Sequence, residues 1–221
     1  MNSTPELFWI SGSPFSWRVL LMLEAKRIPY VPKLLEASKG EHKTPDFLAL
    51  NPRGKVPVLR DGDFVLSESL AIMQYLECRF PAVPMFGRTS AETGLICRVI
   101  SEYTSYLHHP MARVWSPVLT GKSESLAGDI QSAVPEVSAE LARMEDCLTR
   151  KPWLADDAMS AADVSVYPFF KLLLRAASKK EAGRFELGLL PFESHYPALD
   201  AWIKRVEALP GYERTYPPHW R

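Results

Sequence analysis

Ser13-Pro14, inside SGSPFSWRVLLML (11–23), sets a hydroxyl at the head of an apolar, helix-like run. Proline is favoured at the first helical position, and the residue before it is pushed out of the α region. Ser13 is therefore an N-cap candidate, worth ~1 kcal/mol to the helix. The same geometry permits chemistry. A helix N-terminus turns unpaired N–H groups and the positive end of its dipole toward an anion. A hydroxyl there can donate to a thiolate and draw a thiol pKa from its usual ~8.5 toward neutrality. On these residues alone, capping and thiolate stabilisation stand side by side.

Three more stretches could serve such a site. In LSESLAI (66–72), Ser67 can cap a helix with Glu68 in its first turn. Alternatively, Glu68 holds an ammonium while Ser69 and the helix N-terminus hold a carboxylate. In NPRGKVPVL (51–59), Pro57 removes a ladder donor near a strand start. A cis Val56-Pro57 bond would leave the Val56 backbone to pair with an extended peptide. In GEHKTPDFLAL (40–50), His42 and Lys43, with Lys55 further on, form a solvated basic loop or a grip on a second carboxylate.

Other motifs point to packing. Ser160 and Asp163 in MSAADVSVYPF (159–169) have capping-box spacing, with Asp in place of the usual Glu or Gln. In YTSYLHHPMARVW (103–115), ordinary helix packing explains most of Tyr103, Tyr106, His109, Arg113 and Trp115, and the alternative is that they line a pocket facing Ser13. Trp17 is another candidate wall of that pocket. Pro110 is expected to kink its helix. His108 and His109 lack further ligands at useful spacing, so no metal is expected.

These residues must be carried by elements. ELFWI (6–10) reads as a buried strand, and from Pro14 the apolar period becomes helical. IPYVPKLL (28–35) reads as a proline-interrupted edge strand. KVPVL (55–59), DGD (61–63) and FVL (64–66) read as strand, tight turn and strand, followed by a helix over 67–80. The order β-α-β, connection, β-β-α fits a small open sheet with helices on it. PAVPMFGRTS (81–90) has linker composition, and beyond it the pattern is helical. A mixed domain over 1–80, a linker over 81–89 and an all-helical domain over 90–221 follow.

Composition narrows the function classes. The 221 residues are 47% hydrophobic and 24% charged, with 26 basic and 26 acidic side chains. No basic excess argues for nucleic acid or an anionic membrane as partner. Cys78, Cys97 and Cys147 are too sparse for a disulfide framework, which points to a reducing compartment. No apolar run approaches a membrane span, and the N-terminus lacks a basic leader. A cytoplasmic protein is expected.

Taken in order, the serine turn, EHK, LNPRGKVPVL, DGD and LSESLAI resemble the glutathione-binding domain of glutathione S-transferases, and the helical remainder has the family's length. SPFSWRV resembles the serine motif of the tau and zeta classes. GEHKTPDFLALNPRGKVP with the later DGD and ESLAI looks more like the phi class or bacterial relatives. The resemblance implies a thioredoxin-like N-terminal domain (α/β) followed by an all-α domain carrying the electrophile pocket. It implies Ser13 as the hydroxyl that activates the glutathione thiol, with His42, Lys43 and Lys55 for the glycine carboxylate. The Val56 backbone, ahead of a cis Pro57, would pair with the cysteinyl part, and Glu68 and Ser69 would hold the γ-glutamyl group. Phe15 would sit near the thiol, where thiol-active relatives can carry cysteine. The absence of cysteine from this motif disfavours the glutaredoxin-like branch, and the absence of an SSC pattern weakens a maleylacetoacetate isomerase assignment. The implied activity is conjugation of glutathione to a small hydrophobic electrophile, a detoxification chemistry, in a homodimer. A glutathione-dependent isomerase or peroxidase is an alternative, as is a non-catalytic interaction module.

Overall fold

The computed structural model describes residues 4–220. These divide into two compact units: one runs to Phe86 and also takes the tail from Ala208, and the other spans Gly87–Glu207.

The first unit is built on strands β1 (Glu6–Trp9), β2 (Val31–Leu34), β3 (Val58–Asp61) and β4 (Phe64–Ser67), in the order β2-β1-β3-β4. β2 runs parallel to β1, as a crossover through helix α1 (Pro14–Ala25) requires, and the other pairings are antiparallel. Leu7 faces Leu59 across β1 and β3, and both are fully buried. Pro32 falls in β2, at the edge, where its missing N–H breaks no second ladder. Asp61 pairs with Phe64, closing the expected hairpin at Gly62-Asp63. α2 (Pro45–Leu50) and α3 (Ser69–Arg79) complete the domain.

Two boundaries differ from expectation. β3 begins at Val58 rather than Lys55, because Pro57 cannot donate to the ladder. The residues expected to form a linker are tied down as far as Phe86. The buried Lys26 ammonium donates to Glu77 at 2.5 Å and to the Val83 carbonyl at 2.6 Å, and Glu77 accepts from the Met85 and Phe86 N–H groups.

The second unit contains α4 (Ser90–Glu102), α5 (His108–Leu119), α6 (Ala127–Arg150), α7 (Ala161–Ala177), α8 (Phe192–His195) and α9 (Pro197–Glu207). α7 is its axis, buried along most of its length, with α4, α5 and α9 packed on it. The irregularity expected at Pro110 lies one turn earlier, as a π turn over Tyr103–Leu107 between α4 and α5. Pro110 has no N–H for the Tyr106 carbonyl four residues back, and the helical ladder widens there.

Residues 208–220, expected in the helical domain, instead join the first unit through α10 (Tyr212–Thr215), which packs on α1. The aromatic face of the tail finds its partner in Trp17, which is 2% exposed. The Trp17 indole N–H donates to Thr215 Oγ1 at 2.9 Å, and its ring meets those of Tyr212, Tyr216 and Trp220. α1 is apolar nearly all round because it packs against both α3 and this tail.

Candidate functional site

Ser13 is the N-cap of α1. Its backbone is extended (φ −72°, ψ 116°), and its Oγ accepts the Ser16 N–H at 3.3 Å. The capping bond uses a lone pair, so the hydroxyl hydrogen is still available to donate. Capping and chemistry therefore do not compete for the same atom.

The start of α3 is built differently. Ser67 ends β4, paired with Val58, so it does not cap the helix. The N-cap position falls to Glu68, whose side chain makes no capping bond and whose backbone has φ 69° and ψ 108°. A non-glycine residue held at positive φ costs of order 1–3 kcal/mol, and such strain concentrates at functional sites. Ser69 follows as the first helical residue and is buried. Its Oγ accepts from Arg18 Nε at 2.9 Å and Nη2 at 2.5 Å. Arg18 is buried among the apolar residues of α1 and lies under the Phe15 ring, 5.2 Å from its centroid.

Phe15, Val56, Pro57, Glu68 and Ser69 converge on one cleft of about 490 Å³ with Asn51, Arg53 and Lys55. The Val56-Pro57 bond is cis, and Val56 lies outside the sheet. Asn51 is buried and shapes this loop: its side-chain N–H donates to the Lys55 carbonyl at 2.7 Å, and its Oδ1 accepts the Arg53 N–H at 3.1 Å. Arg53, Lys55 and Glu68 are all exposed.

His42 and Lys43 do not line this cleft. The Lys43 ammonium donates to the Gly54 carbonyl at 2.9 Å and so braces the loop. Gly54 suits this turn: its φ of +58° is one that L side chains rarely adopt, and a Cβ would lie 3.0 Å from the His42 carbonyl oxygen. His42 Nδ1 is buried with no hydrogen-bond partner among the described residues.

Of the candidate pocket walls, two are already engaged. Trp17 is covered by the tail, so it offers no wall to a substrate. Arg113 pins α5 to α6, donating to Asp129 Oδ1 and Glu136 Oε1 at 2.8 Å each and to Ser132 Oγ at 2.5 Å. Its guanidinium finds all these acceptors one helix away, so it is a structural clamp. His109 is exposed on α5. Tyr106 is 60% exposed and lines a cavity of about 210 Å³ with Tyr103, Leu107, Met144 and Cys147.

Residues 12–79 match the family model for the glutathione S-transferase N-terminal domain, and residues 96–210 match that for the C-terminal domain. The chain belongs to the glutathione S-transferase family. Glutathione S-transferase A of Pleuronectes platessa is 31% identical over 219 residues, covering 97% of this chain and 92% of that protein. Glutathione S-transferase 3 of Zea mays is 31% identical over 217 residues, covering 95% and 92%. A solved glutathione S-transferase from the Antarctic clam Laternula elliptica superimposes with a TM-score of 0.83 at 30% identity, covering 99% and 94%.

For this glutathione S-transferase, the thioredoxin-like domain and the helical domain are both present as the motifs implied. Among the described residues, no helix is long and apolar enough to cross a membrane, and no cluster of three or more His, Cys, Asp or Glu could hold a metal. Two cleft residues, Asn51 and Arg53, escaped the sequence reading, as did the buried Arg18 that bonds Ser69. Arg53 sits in the same loop as Lys55 and could have been named with it. Arg18 carried one signal, a charged residue inside an otherwise apolar helix run.

Proposed function

We propose that this protein is a glutathione transferase in which the Ser13 hydroxyl and the N-terminus of α1 hold the glutathione thiol as a thiolate for attack on a small, largely apolar electrophile. The observation that carries the reading is the charge pattern of the cleft. Arg53 and Lys55 supply two cations and Glu68 one anion, around the N-terminus of α3. Glutathione carries the complement, two carboxylates and one ammonium. Lys55 and Arg53 suit its glycine carboxylate. The Val56 backbone suits the cysteinyl amide, and Glu68, Ser69 and the α3 N-terminus suit the γ-glutamyl ammonium and carboxylate.

The chemistry needs no covalent bond to the protein. The thiol proton leaves to solvent. The thiolate forms a C–S bond to the electrophilic carbon, and the leaving group departs with the electron pair. Ser13 raises the thiolate fraction by donating to sulfur, and the helix dipole adds to it. Binding in the cleft supplies orientation. Its family supports a homodimer as the working state.

The test is ultraviolet titration of the thiolate in the glutathione complex. The expected thiol pKa lies near neutrality, below the ~8.5 of a free thiol. A titration that coincides with free glutathione overturns the reading.

A further inference from the structure

The end of the chain returns to the serine turn. After α10 is anchored on Trp17 and by the Arg214–Glu24 ion pair, Pro218–Trp220 form a short turn that passes Ser11 and Gly12. Ser11 Oγ and His219 Nδ1 share a hydrogen bond at 3.1 Å. Gly12 has φ +83°, and a Cβ on it would lie 3.1 Å from His219 Cε1, 3.2 Å from Nε2 and 3.5 Å from Trp220 Nε1. The imidazole thus lies close against the side of Gly12 where a Cβ would stand. On the other side, the Ser13 N–H donates to the Ile10 carbonyl at 3.1 Å, closing the turn onto the end of β1.

We propose that His219 is a positioning residue for the Ser13 hydroxyl, acting through Ser11 and Gly12. The inference rests on the reading that Ser13 ionises the glutathione thiol. A glycine at positive φ leaves its turn free to swing, and the direction of the Ser13 O–H swings with it. The ring packed on Gly12 and bonded to Ser11 removes that freedom. His219 lies outside the cleft lined by Arg53, Lys55 and Glu68, so its loss leaves glutathione affinity alone. Its mark is therefore on thiol ionisation and kcat, not on KM.

The experiment compares thiolate titration and steady-state kinetics for the wild type, Ser13→Ala, His219→Ala and His219→Asn, each checked for cooperative thermal unfolding. His219→Ala is expected to move the bound thiol part-way toward free glutathione and to lower kcat roughly fivefold, the effect of one lost hydrogen bond, with KM for glutathione unchanged. His219→Asn, whose amide can meet Ser11 in place of Nδ1, is expected to recover most of both. Should Ser13→Ala move the titration while His219→Ala does not, the role of His219 falls and that of Ser13 stands. A loss that asparagine does not restore, or an equal rise in KM, also overturns the proposal. If Ser13→Ala leaves the titration unchanged, the Ser13 reading itself fails, and the inference with it.

Discussion

Two helix starts in this molecule use nearly the same residues for opposite ends. At α7, Ser160 and Asp163 form a closed set. Asp163 is fully buried and accepts from the Ser160 N–H at 2.8 Å, the Ser160 hydroxyl at 3.2 Å, the Leu154 N–H at 3.0 Å and the Trp202 indole at 2.9 Å. At α3, Ser69 accepts from Arg18 but Glu68 leaves the set open: its carboxylate caps nothing, its backbone is strained, and it faces a cleft. A serine with an acidic neighbour at a helix start therefore does not tell structure from function. What separates them is whether the chain itself consumes every donor and acceptor.

The comparison makes separable predictions, the largest at α7. Asp163→Ala should destabilise the fold by about 3–5 kcal/mol, because it strands several buried donors at once. Urea unfolding checks this. Burial pushes the Asp163 carboxyl up from its ordinary 3.8, against the pull of its four donors. The folded state then holds this proton where the unfolded state has released it, so the group's contribution to stability is fully present below 3.8 and is lost as pH rises through its folded value. The stability difference between wild type and Asp163→Asn, followed upward from about pH 4 by urea unfolding, should move against the wild type as pH rises.

Ser13→Ala comes next, with the opposite signature. It should lower kcat by roughly 10²–10³, the usual effect of removing one donor to a developing or held anion. Its cost in stability should be only the ~1 kcal/mol of a lost N-cap. Kinetics and thermal unfolding on the same samples separate the two. A variant that loses stability and keeps turnover would place Ser13 with Ser160.

Glu68 gives the smallest effects and the sharpest contrast. Glu68→Gln should raise KM for glutathione roughly tenfold by removing a charge-assisted bond to the ammonium. Glu68→Gly should weaken glutathione binding as well, yet raise stability by up to about 1 kcal/mol by relieving the positive φ. Isothermal titration against glutathione, with urea unfolding, reads both. A Glu68→Gly protein less stable than the wild type would contradict the strain.

Most of what was legible in the sequence is local. The Ser13 N-cap, the Asp61–Phe64 hairpin, the edge position of β2 and the capping box at α7 all close between residues a few positions apart, or follow from a period of apolar residues. Spacing alone determines such contacts, since the backbone geometry of a turn or helix end leaves few alternatives. The family motifs also ran in order along the first domain, which is why Phe15, Lys55, Val56, Pro57, Glu68 and Ser69 could be named before the cleft was seen.

Only the tertiary structure decided where the long side chains end. Trp17 and Arg113 fit an open pocket by type, yet one lies beneath a tail that begins near position 208 and the other is bound by α6. Lys43 turned back to Gly54, Arg18 reached Ser69, and His219 met Ser11 across 208 positions. Periodicity says which face of an element is apolar, but not which other element covers it. A flexible cation or ring takes the partner that packing brings within reach, and that partner is set by the assembled fold.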